Sequence, residues 1–159
     1  MIKVTLITLG KLKEKYLRDA VAEYEKRLSR YCDLSVIELE PVKLPDSPSK
    51  AQIDDALEKE AQIILKKLPK DSEIYSLCVE GKQLSSEDFA ECVSNLSRQG
   101  KGLTLIIGSS YGLSERVKTM SKVKLSLSKM TFPHQLFRVM LLEQVYRAFK
   151  INEGSTYHK

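Results

Sequence analysis

Tryptophan is absent from these 159 residues, and histidine and cysteine are scarce, with two and three copies. The three thiols, Cys32, Cys78 and Cys92, are odd in number and show no C-x-x-C spacing, which argues against a disulfide framework and points to buried, reduced side chains. With only His134 and His158 to accompany them, a structural zinc site lacks ligands at workable spacing, and no metal is expected. No stretch approaches the roughly 18 consecutive apolar residues that a membrane span requires. The opening Met1-Ile2-Lys3-Val4-Thr5-Leu6-Ile7 has no basic region followed by a long apolar segment and a small-residue cleavage site. It reads as a first strand, and the expected location is cytoplasmic. Internal repeats and low-complexity segments are also missing, and the length suits a single domain over residues 1–159.

What is present is a globular composition, 42% hydrophobic and 30% charged, with a formal net charge of +5. A basic excess favours a polyanionic partner, because lysine and arginine near phosphates release condensed counterions. Charge alone does not separate a nucleic-acid binder from the many basic proteins that bind none.

Short β-branched runs alternate with amphipathic helical runs, the pattern of an α/β fold with a mainly parallel sheet flanked by helices. Strands are predicted at Lys3 to Leu9, Leu34 to Leu39, Glu73 to Val79, Leu103 to Ile107 and Val123 to Leu127. Leu17, Val21, Tyr24 and Leu28 recur at helical spacing, as do Ile53, Leu57, Ala61, Ile64 and Leu68 before Pro69. Glu40 to Ser49, with prolines at 41, 45 and 48, is predicted to be an exposed, mobile loop. Ser85 or Ser86 can cap a third helix running to about Ser97. The last helix, from about His134 to Phe149, carries apolar residues on more than one face, as a central core helix or a subunit interface would.

Three segments carry candidate chemistry. The turn Ile107-Gly108-Ser109-Ser110-Tyr111-Gly112 follows a strand and precedes a helical stretch opening at Ser114, and ligands gather at the carboxyl edge of parallel strands. A plain structural turn explains it equally well. The hydroxyl-rich run from Leu125 to Gln135 separates an apolar strand from the last helix, and its backbone groups need partners that a ligand such as adenine could supply. Its bland alternative is a connecting loop in which Pro133 sets the helix entry. His134, in the first turn of that helix, faces the positive end of the dipole and is expected to be neutral, as a proton acceptor or a cap. Tyr157, His158 and Lys159 are types that stack on a base, shuttle a proton and hold a phosphate, although termini usually fray.

These residues resemble the ribosomal RNA large subunit methyltransferase H family, minimal SPOUT-class enzymes that methylate N3 of a pseudouridine in 23S rRNA. The likeness runs from Lys11-Leu12-Lys13-Glu14-Lys15-Tyr16 and Glu23-Tyr24-Glu25-Lys26-Arg27-Leu28 to Tyr157-His158-Lys159. Most specific is Leu127-Ser128-Lys129-Met130-Thr131-Phe132-Pro133-His134-Gln135, followed by Arg138 and Glu143-Gln144-Val145-Tyr146-Arg147-Ala148. The resemblance implies a C-terminal deep trefoil knot, a rare exception to unthreaded connections. It implies S-adenosyl-L-methionine (SAM) as methyl donor, bound bent in the knot loops through Leu77, Gly108, Leu127, Ser128, Lys129, Met130, Thr131 and Phe132. One position departs from the usual pattern: Ser109 stands where relatives often have a second glycine or alanine.

The resemblance implies a homodimer in which the C-terminal tail completes the neighbour's active site, which gives Tyr157, His158 and Lys159 a function. For N3 methylation, Arg138, on the first turns of the last helix, is expected to hold a phosphate or orient the base, Lys129 and Lys159 to meet the RNA backbone, and His158, ahead of His134, to take the N3 proton. So small a chain has no separate RNA-binding domain, so its selectivity is expected to come from the assembled ribosome. Two alternatives stand beside this reading: a SPOUT methyltransferase of another rRNA or tRNA site, and a noncatalytic ribosome-binding factor.

Overall fold

The computed structural model describes residues 1–159. Five strands, β1 (Ile2–Leu9), β2 (Cys32–Leu39), β3 (Ser72–Gln83), β4 (Gly102–Ile107) and β5 (Val123–Ser126), form one sheet in the order β2-β1-β4-β3-β5. Every pairing is parallel. Parallel neighbours need crossover connections, and helices α1 (Lys15–Leu28), α2 (Lys50–Leu65), α3 (Ser86–Arg98) and α4 (Glu115–Met120) supply them, with α5 (His134–Asn152) following β5. The mainly parallel α/β class and all five predicted strands are present, each strand within one or two residues of its expected start.

Because both faces of a parallel sheet are covered, its strands are near-continuously apolar, and alternate side chains enter two cores. Val4, Leu6, Leu103, Leu105 and Ile107 pack against Val21 and Leu28 of α1, Phe89 and Val93 of α3, and Leu141, Leu142 and Val145 of α5. Ile7, Leu9, Leu39 and Ile106 pack on the other face against Ala61 and Ile64 of α2 and Val117 of α4. Helices α1, α3 and α5 therefore form one layer, and α2 and α4 the other. No helix is long and apolar enough to cross a membrane.

Helix starts follow their caps. Ser85 accepts from the Asp88 amide and Ser114 from the Val117 amide, while Ser49 and Gln52 complete a reciprocal capping box at α2. Ser49 thus begins a helix as well as ending the proline-rich loop. That loop is mostly exposed as expected, but Val42 within it is tied down, its amide donating to Glu60 Oε2 at 2.9 Å. Two expectations need correction. Cys32 alone is fully buried; Cys78 and Cys92 are half-buried, although all three thiols are free. Strand β3 runs past Val79 to Gln83 through an irregularity between Leu77 and Lys82, and Gly81 lies there because a Cβ would come within 2.7 Å of the Lys124 carbonyl oxygen.

Candidate active site

With all strands parallel, the carboxyl ends of β3, β4 and β5 share one edge, beside the crossovers that skip a strand. A cavity of about 540 Å³ opens there. Its first wall is the end of β3, Leu77 to Glu80; its second is Ile107 to Leu113; its third is Ser126 to Phe132, with His134 and Phe137 at the start of α5. Of the eight residues read as cofactor-binding, seven line it: Leu77, Gly108, Leu127, Ser128, Met130, Thr131 and Phe132. Lys129 lies in the same loop, exposed and outside the lining, in no ion pair. The β4 turn and the hydroxyl-rich run, far apart in sequence, thus meet across one cavity.

The β4 turn is shaped by its backbone. At Gly108 a Cβ would lie 2.2 Å from the Gly112 carbonyl oxygen, so any other residue would displace the turn. Gly112 has φ +84°, which side chains disfavour, and its amide donates to the Ser109 carbonyl at 2.8 Å. Ser109 leaves these backbone contacts intact, and its hydroxyl donates to Glu60 Oε1 at 3.2 Å. Glu60 was missed in the sequence reading, although a visible signal exists: it interrupts the apolar stripe of α2 between Ala56 and Ala61, both buried. On the opposite wall, Glu80 pairs with Lys118 Nζ at 2.5 Å, and that hydrogen bond holds its carboxyl below the usual range.

Helix α5 is clamped at its start. His134 Nε2–H donates to the Gly108 carbonyl, joining the helix to the turn, and the Lys13 amide donates to Gln135 Oε1 at 3.0 Å. His134 is depressed in pKa, mainly by burial, with Arg138 adding to the effect. The neutral state expected from sequence therefore has burial rather than the dipole as its first cause. Arg138, only 2% exposed, donates from Nη1 to Glu38 Oε2 at 2.6 Å and from Nη2 to the Gly10 carbonyl at 3.0 Å. Its guanidinium faces inward to the ends of β1 and β2, so it offers no open fork to a phosphate in this chain.

The C-terminal residues fold back on their own chain, away from the cavity. Tyr157 donates to Glu143 Oε1 at 3.0 Å, lies edge-on to Tyr146, and has its phenol pushed up to about 12 by burial and that carboxylate. Arg147 Nη1 lies 3.1 Å from His158 Nδ1, and His158 Nε2 lies 2.7 Å from Glu87 Oε1. Since an arginine only donates and a carboxylate only accepts, Nδ1 accepts and Nε2–H donates, the neutral tautomer. Lys159 is exposed and enters no ion pair. His134 and the seven lining residues are brought together; Arg138, Tyr157 and His158 are placed elsewhere.

Glycine-shaped backbone and mixed apolar and hydroxyl walls at the edge of a parallel sheet give an α/β protein with a cavity suited to a small ligand. The chain belongs to the SPOUT methyltransferase family: residues 2–158 match the family described as "Predicted SPOUT methyltransferase". The ribosomal RNA large subunit methyltransferase H proteins of Clostridium beijerinckii and Bifidobacterium adolescentis are each 50% identical to it over 159 residues, which cover 99% of this chain and 100% of theirs. Against the solved SpoU methyltransferase AviRb from Streptomyces viridochromogenes, the alignment covers 97% of this chain and 59% of that one, at 12% identity and a TM-score of 0.47.

Proposed function

We propose that this chain transfers a methyl group from SAM to N3 of a pseudouridine in 23S rRNA, working on assembled ribosomes in the cytoplasm. In this reading residues 1–159 act as one knotted domain, and two copies form the working dimer. The observation that carries it is the convergence of seven of the eight expected cofactor residues on one cavity of about 540 Å³, within the size range of small-molecule sites. Its surroundings fit SAM. The Gly108 cradle admits close approach where a Cβ would collide, Leu77, Leu127 and Phe132 offer apolar faces to an adenosine, and hydroxyls of Ser128 and Thr131 are at hand for its polar edges.

When bound, SAM supplies an electrophilic methyl carbon, and displacement at that carbon is in line. The chain's work is then to align the nucleophilic nitrogen and exclude water. Removing the imide proton needs a neutral base. His134 is neutral by burial, with Nε2–H held by the Gly108 carbonyl and Nδ1 left to accept. His158 has the right tautomer but both nitrogens engaged within its own chain, so it serves only when the tail leaves Glu87 or Arg147 for a neighbouring subunit's site. Arg138 acts here by fixing α5, and through it the loop from Leu127 to Phe132, in line with its inward pairing to Glu38. Lys129 and Lys159 are exposed cations free to meet RNA phosphates.

Dimer formation has support in apolar groups left at the surface by the single chain. Val79 is 60% exposed and Met130 76% exposed at the cavity wall, and Leu136 38% exposed on α5.

The deciding measurement is transfer of labelled methyl from SAM to ribosomes lacking the modification, by the full chain and by one truncated after Glu153. The expected result is label in 23S rRNA with the full chain, little with the truncation, and little on protein-free transcript. Equal label from both chains removes the tail from the mechanism. Equal turnover on free transcript removes the ribosome requirement, and label in tRNA moves the enzyme to another substrate.

A further inference from the structure

We propose that Glu60 is a positioning residue for the cofactor turn: from α2 its carboxylate holds the Ser109 hydroxyl, and with it the Gly108–Gly112 backbone, in the shape that receives SAM. This rests on the reading of the cavity given above.

Glu60 is only 4% exposed, on the packed face of α2 beside Ala56, Ala61 and Ile64, which are buried as well. A buried carboxylate is costly unless it is compensated, and an apolar residue would pack there without that cost. No lysine or arginine pairs with it. Its compensation is two hydrogen bonds, both to segments outside regular structure: the Val42 amide at 2.9 Å on Oε2 and the Ser109 hydroxyl at 3.2 Å on Oε1. Burial pushes its pKa up against both of these bonds.

The turn needs such a tether because it has open space on two sides. Ser109 and Ser110 line the large cavity and also a second one of about 190 Å³, bounded by Pro41, Val42, Leu44 and Leu57. At Ser109 and Ser110 the turn is thus a partition between two cavities. Gly108 is held by His134 and Gly112 by the Ser109 carbonyl; toward α2 the turn is packed at its end by Leu113, on the Ala61 and Ile64 side, and the Ser109 side chain is its hydrogen-bonded link. Alanine or glycine at position 109 would have no hydroxyl with which to reach Glu60.

The test uses the full chain. SAM affinity by calorimetry, and kcat and KM on ribosomes, are measured for Ser109→Ala, Ser109→Thr, Glu60→Met and the double variant Glu60→Met/Ser109→Ala. Loss of one hydrogen bond, felt by the cofactor only through the turn, predicts Kd for SAM raised about 3- to 10-fold in Ser109→Ala and at least as much in Glu60→Met, which keeps the side-chain length and removes both acceptor oxygens. kcat at saturating SAM stays within about twofold, because the reacting groups are untouched. Ser109→Thr keeps the hydroxyl and stays near the parent. The double variant binds about as weakly as Glu60→Met alone, since both changes remove one tether.

Kd unchanged in both single variants, or effects that multiply in the double variant, overturns the proposal. Ser109→Ala, which removes one hydroxyl, keeps the test open if Glu60→Met fails to fold. Amide hydrogen exchange at Gly112 without SAM separates the two layers of the argument. If the parent takes up no SAM, the cofactor reading falls, and exchange decides on Glu60 by itself. Faster exchange in Ser109→Ala then upholds the tether, and unchanged exchange overturns it.

Discussion

Two walls of the same cavity are built on opposite plans. The wall from Ile107 to Leu113 is made of backbone: Gly108 is buried, Leu113 is 5% exposed, and the turn is pinned by His134, Glu60 and its own Gly112 hydrogen bond. The wall from Leu127 to Phe132 is made of side chains, half-buried at Leu127, Ser128 and Phe132 and exposed at Lys129, Thr131 and Met130, the last 76% exposed. Its internal bonds are few: Ser126 Oγ to the Ser128 carbonyl at 2.9 Å, and the Met130 amide to Ser128 Oγ at 2.9 Å. The difference separates two tasks. A pre-shaped backbone wall lowers the ordering cost of binding a small ligand, whereas an exposed wall of varied side chains is available to a larger partner.

The largest effect should come from breaking the backbone wall. Gly108→Ala places a Cβ 2.2 Å from the Gly112 oxygen and 2.5 Å from its carbonyl carbon, atoms that cannot rotate away. Calorimetry should show SAM affinity reduced by at least about 100-fold, with stability lowered by about 3 kcal/mol in urea titrations. Met130→Ala on the opposite wall should change stability by less than about 0.5 kcal/mol. If Gly108→Ala binds SAM normally, the two walls do not differ in the way claimed.

Next comes the anchor of the exposed wall. Arg138→Ala removes a buried guanidinium that joins α5 to Glu38 and the Gly10 carbonyl. Because Glu38 keeps some contact with water, the cost should be about 2–4 kcal/mol, at or below the usual range for breaking a buried pair. Arg138→Lys should restore only part of it, since one ammonium does not replace a two-pronged fork. A loss below about 1 kcal/mol would show that the loop is anchored by other contacts.

His134 links the two walls, and its pKa makes the link sensitive to pH. The folded value lies below the ordinary 6.5, so on acidification the unfolded chain gains a proton before the folded one does. This contribution to stability is complete above about pH 6.5 and is lost as pH falls below it toward the folded value. Glu60, raised by burial from 4.5, works in the opposite sense, its contribution being lost as pH rises through its folded value. The difference in unfolding free energy between the parent and His134→Gln isolates the histidine. That difference should shrink between pH 7 and pH 5, and a constant difference would mean that His134 takes up its proton in the fold as readily as outside it.

The same contrast explains what was legible in the sequence. Strand existence and order along the chain could be read because apolar runs at 3–9, 103–107 and 123–127 are local signals, as are the caps Ser85 and Ser114. Spatial order could not: nothing in period or composition places β4 between β1 and β3. Both walls are legible as segments, the backbone wall by its glycines and the exposed wall by its hydroxyl-rich run between an apolar strand and the last helix, to which the family resemblance adds the cofactor. The contacts between distant elements were not foreseen. Arg138 with Glu38 spans 100 positions and Ser109 with Glu60 spans 49, and such pairs are created by the fold rather than by neighbouring residues. Arg138 was accordingly expected to reach RNA, when its position on α5 turns it into the protein.

The smallest effect on the molecule should carry the clearest message about the exposed wall. Lys129 lies outside the cavity lining and enters no ion pair, so Lys129→Glu should shift stability by less than about 0.5 kcal/mol and leave SAM affinity unchanged. If that wall faces RNA, the same change should raise KM for ribosomes and flatten the salt dependence of binding by about 0.7–0.9 in log–log slope, the value for one phosphate contact. A steeper loss confined to SAM binding would instead make Lys129 part of the small-ligand site. An unchanged salt slope would remove it from the RNA surface and leave the tail, with Lys159, to carry that contact.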